Sequence, residues 1–128
     1  MSRYLVDSSV WIEIYRGKNS QLAVDISDLV LADDISCCGF VVAEVLQGVR
    51  TEKEYLEVAE DFKGLNYFEA SSGVFLKAAE LVYKLRHKGI AAGLVDALIA
   101  ATALLHEQTV LTMDSDFARF PGVKVKKI

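Results

Sequence analysis

Short β-branched and aromatic runs alternate with stretches of helical spacing from one end of the chain to the other, and that order narrows the fold more than any single motif. Residues 3 to 7 make a first strand ending at Asp7, and Ser8 or Ser9 is placed to cap a helix through Val10, Trp11, Ile12 and Ile14. Gly17 and Asn19 break that helix, and Leu22, Ile26, Leu29 and Val30 recur at helical spacing from Ser20 to Asp33. Ile35 to Cys38 is a second strand, Gly39 a break, and Phe40 to Val49 a helix. Thr51 to Glu54 has the form of a capping box before Tyr55, Val58, Ala59 and Phe62, and Gly64 ends that helix. Leu65 to Phe68 is a third strand. A long amphipathic helix marked by Val74, Ala78, Leu81, Val82 and Leu85 stops at Lys88-Gly89. Leu94 to Leu105 is apolar almost throughout and predicts a helix buried on most of its circumference. Thr109 to Thr112 and Val123 to Val125 complete the strands.

Strands separated by helices predict an α/β fold, a three-layer α/β/α sandwich around a central, mostly parallel sheet of four to five strands. A chain of 128 residues that is 52% hydrophobic fits one domain spanning residues 1–128. The first 15 residues lack the signal-peptide pattern, and no run of about 18 uncharged apolar residues could span a membrane, so the expected compartment is the cytoplasm. Cys37 and Cys38 are adjacent in a strand, where successive side chains point to opposite faces, and they read as free core thiols. His87 and His106 show no ligand spacing, which argues against zinc.

Four carboxylates interrupt the apolar segments. Asp7 ends Tyr4-Leu5-Val6, Glu44 lies within Phe40 to Leu46, Asp96 within Leu94 to Ile99, and Asp114 follows Val110-Leu111-Thr112. An isolated buried carboxylate costs several kcal/mol and takes up a proton instead. Singly, Asp7 reads as a helix cap, Glu44 as a solvated helix residue and Asp114 as a turn residue. Asp96 resists such readings most, although the first turn of a helix favours an anion by a few tenths to about 1 kcal/mol. Together they predict a site, because reactive groups of open α/β sheets collect beyond the carboxyl ends of the strands.

Oxygen ligands without His or Cys suit Mg²⁺ or Mn²⁺. Two such ions about 3.5–4 Å apart serve hydrolysis of a phosphodiester with water as nucleophile. Ser8 and Thr112 are candidate hydrogen-bond partners that would orient the ligands, with roles as cap and turn residues equally open. Asp116 could bind an ion, cap the turn at Phe117, or face solvent. The net charge of −4 normally argues against nucleic acid. If Asp7, Glu44, Asp96, Asp114 and Asp116 all face cations, however, the rest of the 18 acids stand close to parity with the 14 Lys and Arg. Candidates for contacting an RNA backbone are Arg16, Lys18, Arg50, Lys84, Arg86, Lys88 and Arg119, none of them in a diagnostic run.

The segments Tyr4 to Ile12, Val42 to Gly48, Gly93 to Ala103 and Leu111 to Phe117, in that order and spacing, resemble the PIN domain and, within it, the VapC-type toxins of prokaryotic toxin–antitoxin pairs. The resemblance covers nearly the whole chain. It implies a Mg²⁺- or Mn²⁺-dependent endoribonuclease that cuts tRNA or ribosomal RNA, with acidic ligands Asp7, Glu44, Asp96 and Asp114, Thr112 beside them, and Asp116 a possible fifth. It also implies a homodimer and a small antitoxin whose C-terminal segment wraps the toxin, often placing a basic residue in the acidic pocket. Trp11, Ile14, Tyr15 and Val49 offer apolar surface for such a partner, or are core. Competing readings are a DNA nuclease or phosphatase on a similar fold, a noncatalytic module whose acidic pocket binds a basic peptide, and a phosphoacceptor receiver domain. The last lacks the expected lysine after a late strand.

Overall fold

Five parallel strands lie in the order β3-β2-β1-β4-β5 in a computed structural model that describes residues 2–128. The strands are β1 (Tyr4–Val6), β2 (Ile35–Cys38), β3 (Asn66–Phe68), β4 (Thr109–Thr112) and β5 (Lys124–Lys127). Six helices cover the sheet: α1 (Ser8–Tyr15), α2 (Ser20–Leu31), α3 (Gly39–Gln47), α4 (Glu52–Lys63), α5 (Ser72–His87) and α6 (Leu94–Leu105). The expected α/β sandwich is therefore present, with its sheet wholly parallel. No helix is long and apolar enough to cross a membrane among the described residues.

The strand order makes a crevice. From β1 the chain steps outward to β2 and β3, then returns across the sheet to β4 beside β1. Right-handed crossovers place α1 to α4 on one face of the sheet, and the reversal puts α5 and α6 on the other. The connections leaving β1 and β4 thus diverge, opening a gap beyond their carboxyl ends. Register is fixed there by Val6 opposite Leu111, and the Asp7 amide donates to the Leu111 carbonyl at 3.0 Å.

Both faces of the central strands are buried, as a covered parallel sheet requires: Leu5, Val6, Cys37, Cys38, Val110 and Leu111 are all inside. The two cysteines are free, and burial pushes the Cys37 thiol up to about 12, so it stays protonated. Trp11 is core, packed edge-on against Phe62 with ring centroids 5.3 Å apart. Small residues Ala97, Ala100 and Ala101 of α6 allow close approach, while Val74, Ala78, Leu81 and Leu85 of α5 are also buried.

Three local readings change. Neither Ser8 nor Ser9 caps α1; Asp7 occupies that position, and both serines are already in the first turn. Gly39 is the first residue of α3 rather than a break before it. The burial of α6 is confined to Ala97 and Ile99–Ala103, and Leu94, Val95 and Leu105 are exposed. High hydropathy alone could not show that the first turn of α6 projects beyond the sheet. Thr51 does cap α4, accepting from the Glu54 amide at 3.2 Å.

Edges are handled differently. On β3, the Asn66 amide bonds the Ile35 carbonyl and the Asp33 carboxylate, while β5 ends the sheet with Lys124, Lys126 and Lys127.

Candidate metal centre

Asp7 follows β1 directly and is 3% exposed, so its carboxylate must be satisfied internally. Thr112, the last residue of β4, donates to Oδ2 at 2.7 Å, and Ser9 donates to Oδ1 at 2.6 Å. The amides of Ser9 and Val10 also favour the charged form, without closing a capping bond. Burial outweighs these donors and raises the Asp7 pKa above its ordinary value.

The same hydroxyls lock the crevice. Thr112 Oγ1 accepts from the Asp114 amide at 2.9 Å, and Ser9 Oγ accepts from the Met113 amide at 3.1 Å. Asp7, the start of α1 and the turn after β4 therefore form one hydrogen-bonded unit. Asp114 caps the following 3₁₀ turn (Ser115–Arg119) by accepting from the Asp116 amide at 2.9 Å. From α3, Glu44 is held by Ser8, whose Oγ donates to Oε1 at 3.0 Å.

Asp96 enters from the first turn of α6. It can bring a carboxylate oxygen into a group with Asp114 and Asp116 whose three oxygens lie within 4.8 Å of one another. Burial, then the neighbouring charges of Glu44, Asp114, Asp7 and Asp116, push its pKa up to about 6. All five sequence-predicted acids therefore act on one small volume. Asp7 and Glu44, each tied to serine or threonine hydroxyls, lie outside the tightest trio. Sequence reading places Asp114 ahead of Asp116; here both reach Asp96. Among the described residues one counter-charge is present: Arg119 Nη2 pairs with Asp116 Oδ1 at 2.9 Å and its Nη1 bonds the Ala91 carbonyl at 3.0 Å.

An all-oxygen donor set under mutual repulsion fits a hard divalent cation, which would relieve the repulsion and lower the Asp96 pKa again. The histidines take other roles, His106 stacking on Phe68 and His87 bonding the Tyr83 carbonyl. Ser9 is the site residue that sequence reading assigned only to a cap. Its signal is position: a hydroxyl two residues after a strand-end aspartate can fold back onto it.

An acid-lined crevice at the switch point of a parallel sheet is where open α/β proteins gather their reactive groups. This chain belongs to the PIN domain family, which it matches over residues 4–123. It is 26% identical over 117 residues to Ribonuclease VapC11 of Mycobacterium tuberculosis, covering 88% of this chain and 87% of that protein. It is 29% identical over 132 residues to Ribonuclease VapC of Rickettsia bellii, covering 94% and 92%. VapBC2 from Rickettsia felis, solved bound to a DNA fragment from its promoter, contains a chain that superposes with a TM-score of 0.84 at 20% identity, covering 98% of each. That likeness establishes the shared fold.

Proposed function

We propose that this chain is a Mg²⁺- or Mn²⁺-dependent endoribonuclease, the toxin of a VapBC-type pair, hydrolysing phosphodiester bonds of tRNA or ribosomal RNA in the cytoplasm. The observation that carries this reading is the gathering of Asp7, Glu44, Asp96, Asp114 and Asp116 at the crevice, with Asp96 pushed to about 6 by burial and like charges. Such a cluster is unfavourable without a cation and therefore has a use for one.

The residues placed to hold the metal are Asp96, Asp114 and Asp116, with Asp7 and Glu44 alongside. A divalent ion supplies Lewis-acid polarisation of a phosphate oxygen and a bound water of lowered pKa. The chain's own share is orientation. Thr112 and Ser9 fix both oxygens of Asp7, Ser8 aims Glu44, and the Asp114 cap holds the 3₁₀ turn. The Arg119 contact with Asp116 shows that the rim accepts a guanidinium, which supports a small antitoxin that inserts a basic residue there. Exposed Phe75, Leu76 and Tyr83 on α5 support self-association as a homodimer.

The test is cleavage of RNA by the purified chain with Mn²⁺ or Mg²⁺, with and without chelator. Asp96→Asn should lose more than the roughly 10–100-fold typical of an outer partner of a metal site, while circular dichroism stays native. Cleavage equal to the parent, or unaffected by chelator, would refute the reading.

A further inference from the structure

We infer that Arg119 is a positioning residue of the metal centre. Its guanidinium ties the 3₁₀ turn that carries Asp116 to the segment leading into α6 and Asp96, and so sets the spacing of the acidic trio. The inference rests on the metal-dependent reading above and adds a residue to it.

The two walls of the trio are built unequally. The turn that presents Asp114 and Asp116 is rooted in the core, because Phe117 and Phe120, on either side of Arg119, are 1% and 3% exposed. The opposite wall is not. From Gly89 to Val95 every residue except Ala92 is exposed, and Ala97 is the first buried residue after Leu85. Gly93 caps α6 without a side chain to take up its first amides. A segment with so few packed contacts opens locally at low cost, and Asp96 stands at its end.

Among the described residues, one side-chain hydrogen bond reaches this segment, from Arg119 Nη1 to the Ala91 carbonyl at 3.0 Å across 28 positions of sequence. The same guanidinium holds Asp116 Oδ1 through Nη2 at 2.9 Å. A planar fork presents its donors in fixed relation, so engaging one acceptor places the other. That link has something to oppose. The oxygens of Asp96, Asp114 and Asp116 lie within 4.8 Å of one another, and their like charges push the exposed segment away from the rooted turn. An exposed ion pair by itself adds little to stability, so the consequence of this one lies in the geometry it imposes. A plain counter-charge would need neither the Ala91 bond nor a fork, and a lysine would serve as well.

The experiment compares the full chain with Arg119→Lys, which keeps the positive charge and gives up the fork. Calorimetric titration with Mn²⁺ should show affinity lower by about tenfold, the small end of the range for an outer partner of a metal ligand. Without metal, the amides from Ala91 to Ala97 should exchange hydrogen faster, while the urea midpoint and exchange in β4 stay at parent values. In an Asp116→Ala background, where the link has lost one end, Arg119→Lys should lower Mn²⁺ affinity no further. Parent affinity or parent exchange rates in Arg119→Lys would overturn the inference, as would equal losses of affinity in the two backgrounds. A role as counter-charge alone gives parent affinity in Arg119→Lys and tighter binding in Arg119→Ala. Failure of the parent chain to bind Mn²⁺ is a different result, which removes the metal-dependent reading and this inference with it.

Discussion

The two ends of the sheet handle buried polar groups in opposite ways. At the amino end, Gln108 is buried and fully engaged: its Oε1 accepts from Ser2 and Ser36 at 3.1 and 3.2 Å, and its Nε2 donates to the Ser2 and His106 carbonyls, both at 3.0 Å. Arg3 and Asp34 neutralise each other beside it through two hydrogen bonds. At the carboxyl end, hydroxyls orient Asp7 and Glu44 without neutralising them, and Arg119 pairs with Asp116. Satisfied polar groups hold strands in register; unsatisfied like charges have a use at a functional site.

Breaking the carboxyl end should cost activity first. Thr112→Val preserves shape but removes the donor to Asp7 and the acceptor for the Asp114 amide. We expect cleavage and Mn²⁺ affinity to fall roughly 10–100-fold, measured by kinetics and calorimetric titration. Values equal to the parent would show that the hydroxyl does not hold the ligand set.

Breaking the amino end should instead cost stability. Gln108→Leu removes the hub shared by Ser2 and Ser36, and should lower unfolding free energy by about 1–3 kcal/mol in urea, leaving kcat unchanged. A fall in kcat matching that of Thr112→Val would mean that the ends are not separable.

The smallest effect sharpens the contrast through pH. Asp96 has a folded-state pKa of about 6, above its ordinary 3.8. Between those values the folded chain holds more protons than the unfolded one, so metal-free stability falls as pH rises through this window and then levels off. Asp7, also raised, contributes with the same sign. Because Asp96 is only partly buried, solvent screening reduces its share to about 1 kcal/mol. Asp96→Asn should therefore stabilise the metal-free chain at pH 7 by about that much and flatten its pH profile, read by urea melts at pH 4.5 and 7. Destabilisation by Asp96→Asn would show that the acids are not under repulsion.

Much of the architecture was legible in the sequence because periodicity reports burial. The runs at Tyr4, Ile35 and Thr109 are central strands, and the spacing from Val74 to Leu85 is the buried face of α5. The acids stood out for the same reason, as charges set in apolar segments. What was hidden depends on geometry between distant segments. Asp114 and Asp116 both reach Asp96 from the cap and the first turn of one 3₁₀ helix, an element too short for periodicity to reveal. Ser9 looked like a cap because its bonds to Asp7 and Met113 exist only once β1 and β4 lie side by side. Gln108 carried no signal at all, since a single amide between a helix and a strand follows no period.

The lysines of β5 carry a consequence for assembly. Lys124, Lys126 and Lys127 give the outer margin of the sheet a positive fringe, and Lys126 Nζ lies 5.6 Å from the centre of the Tyr4 ring. Two copies brought together along this margin would set like charges against each other, which discourages strand-to-strand growth into fibres. Chains that join are thereby directed to meet through their helices, leaving the sheet finite at five strands.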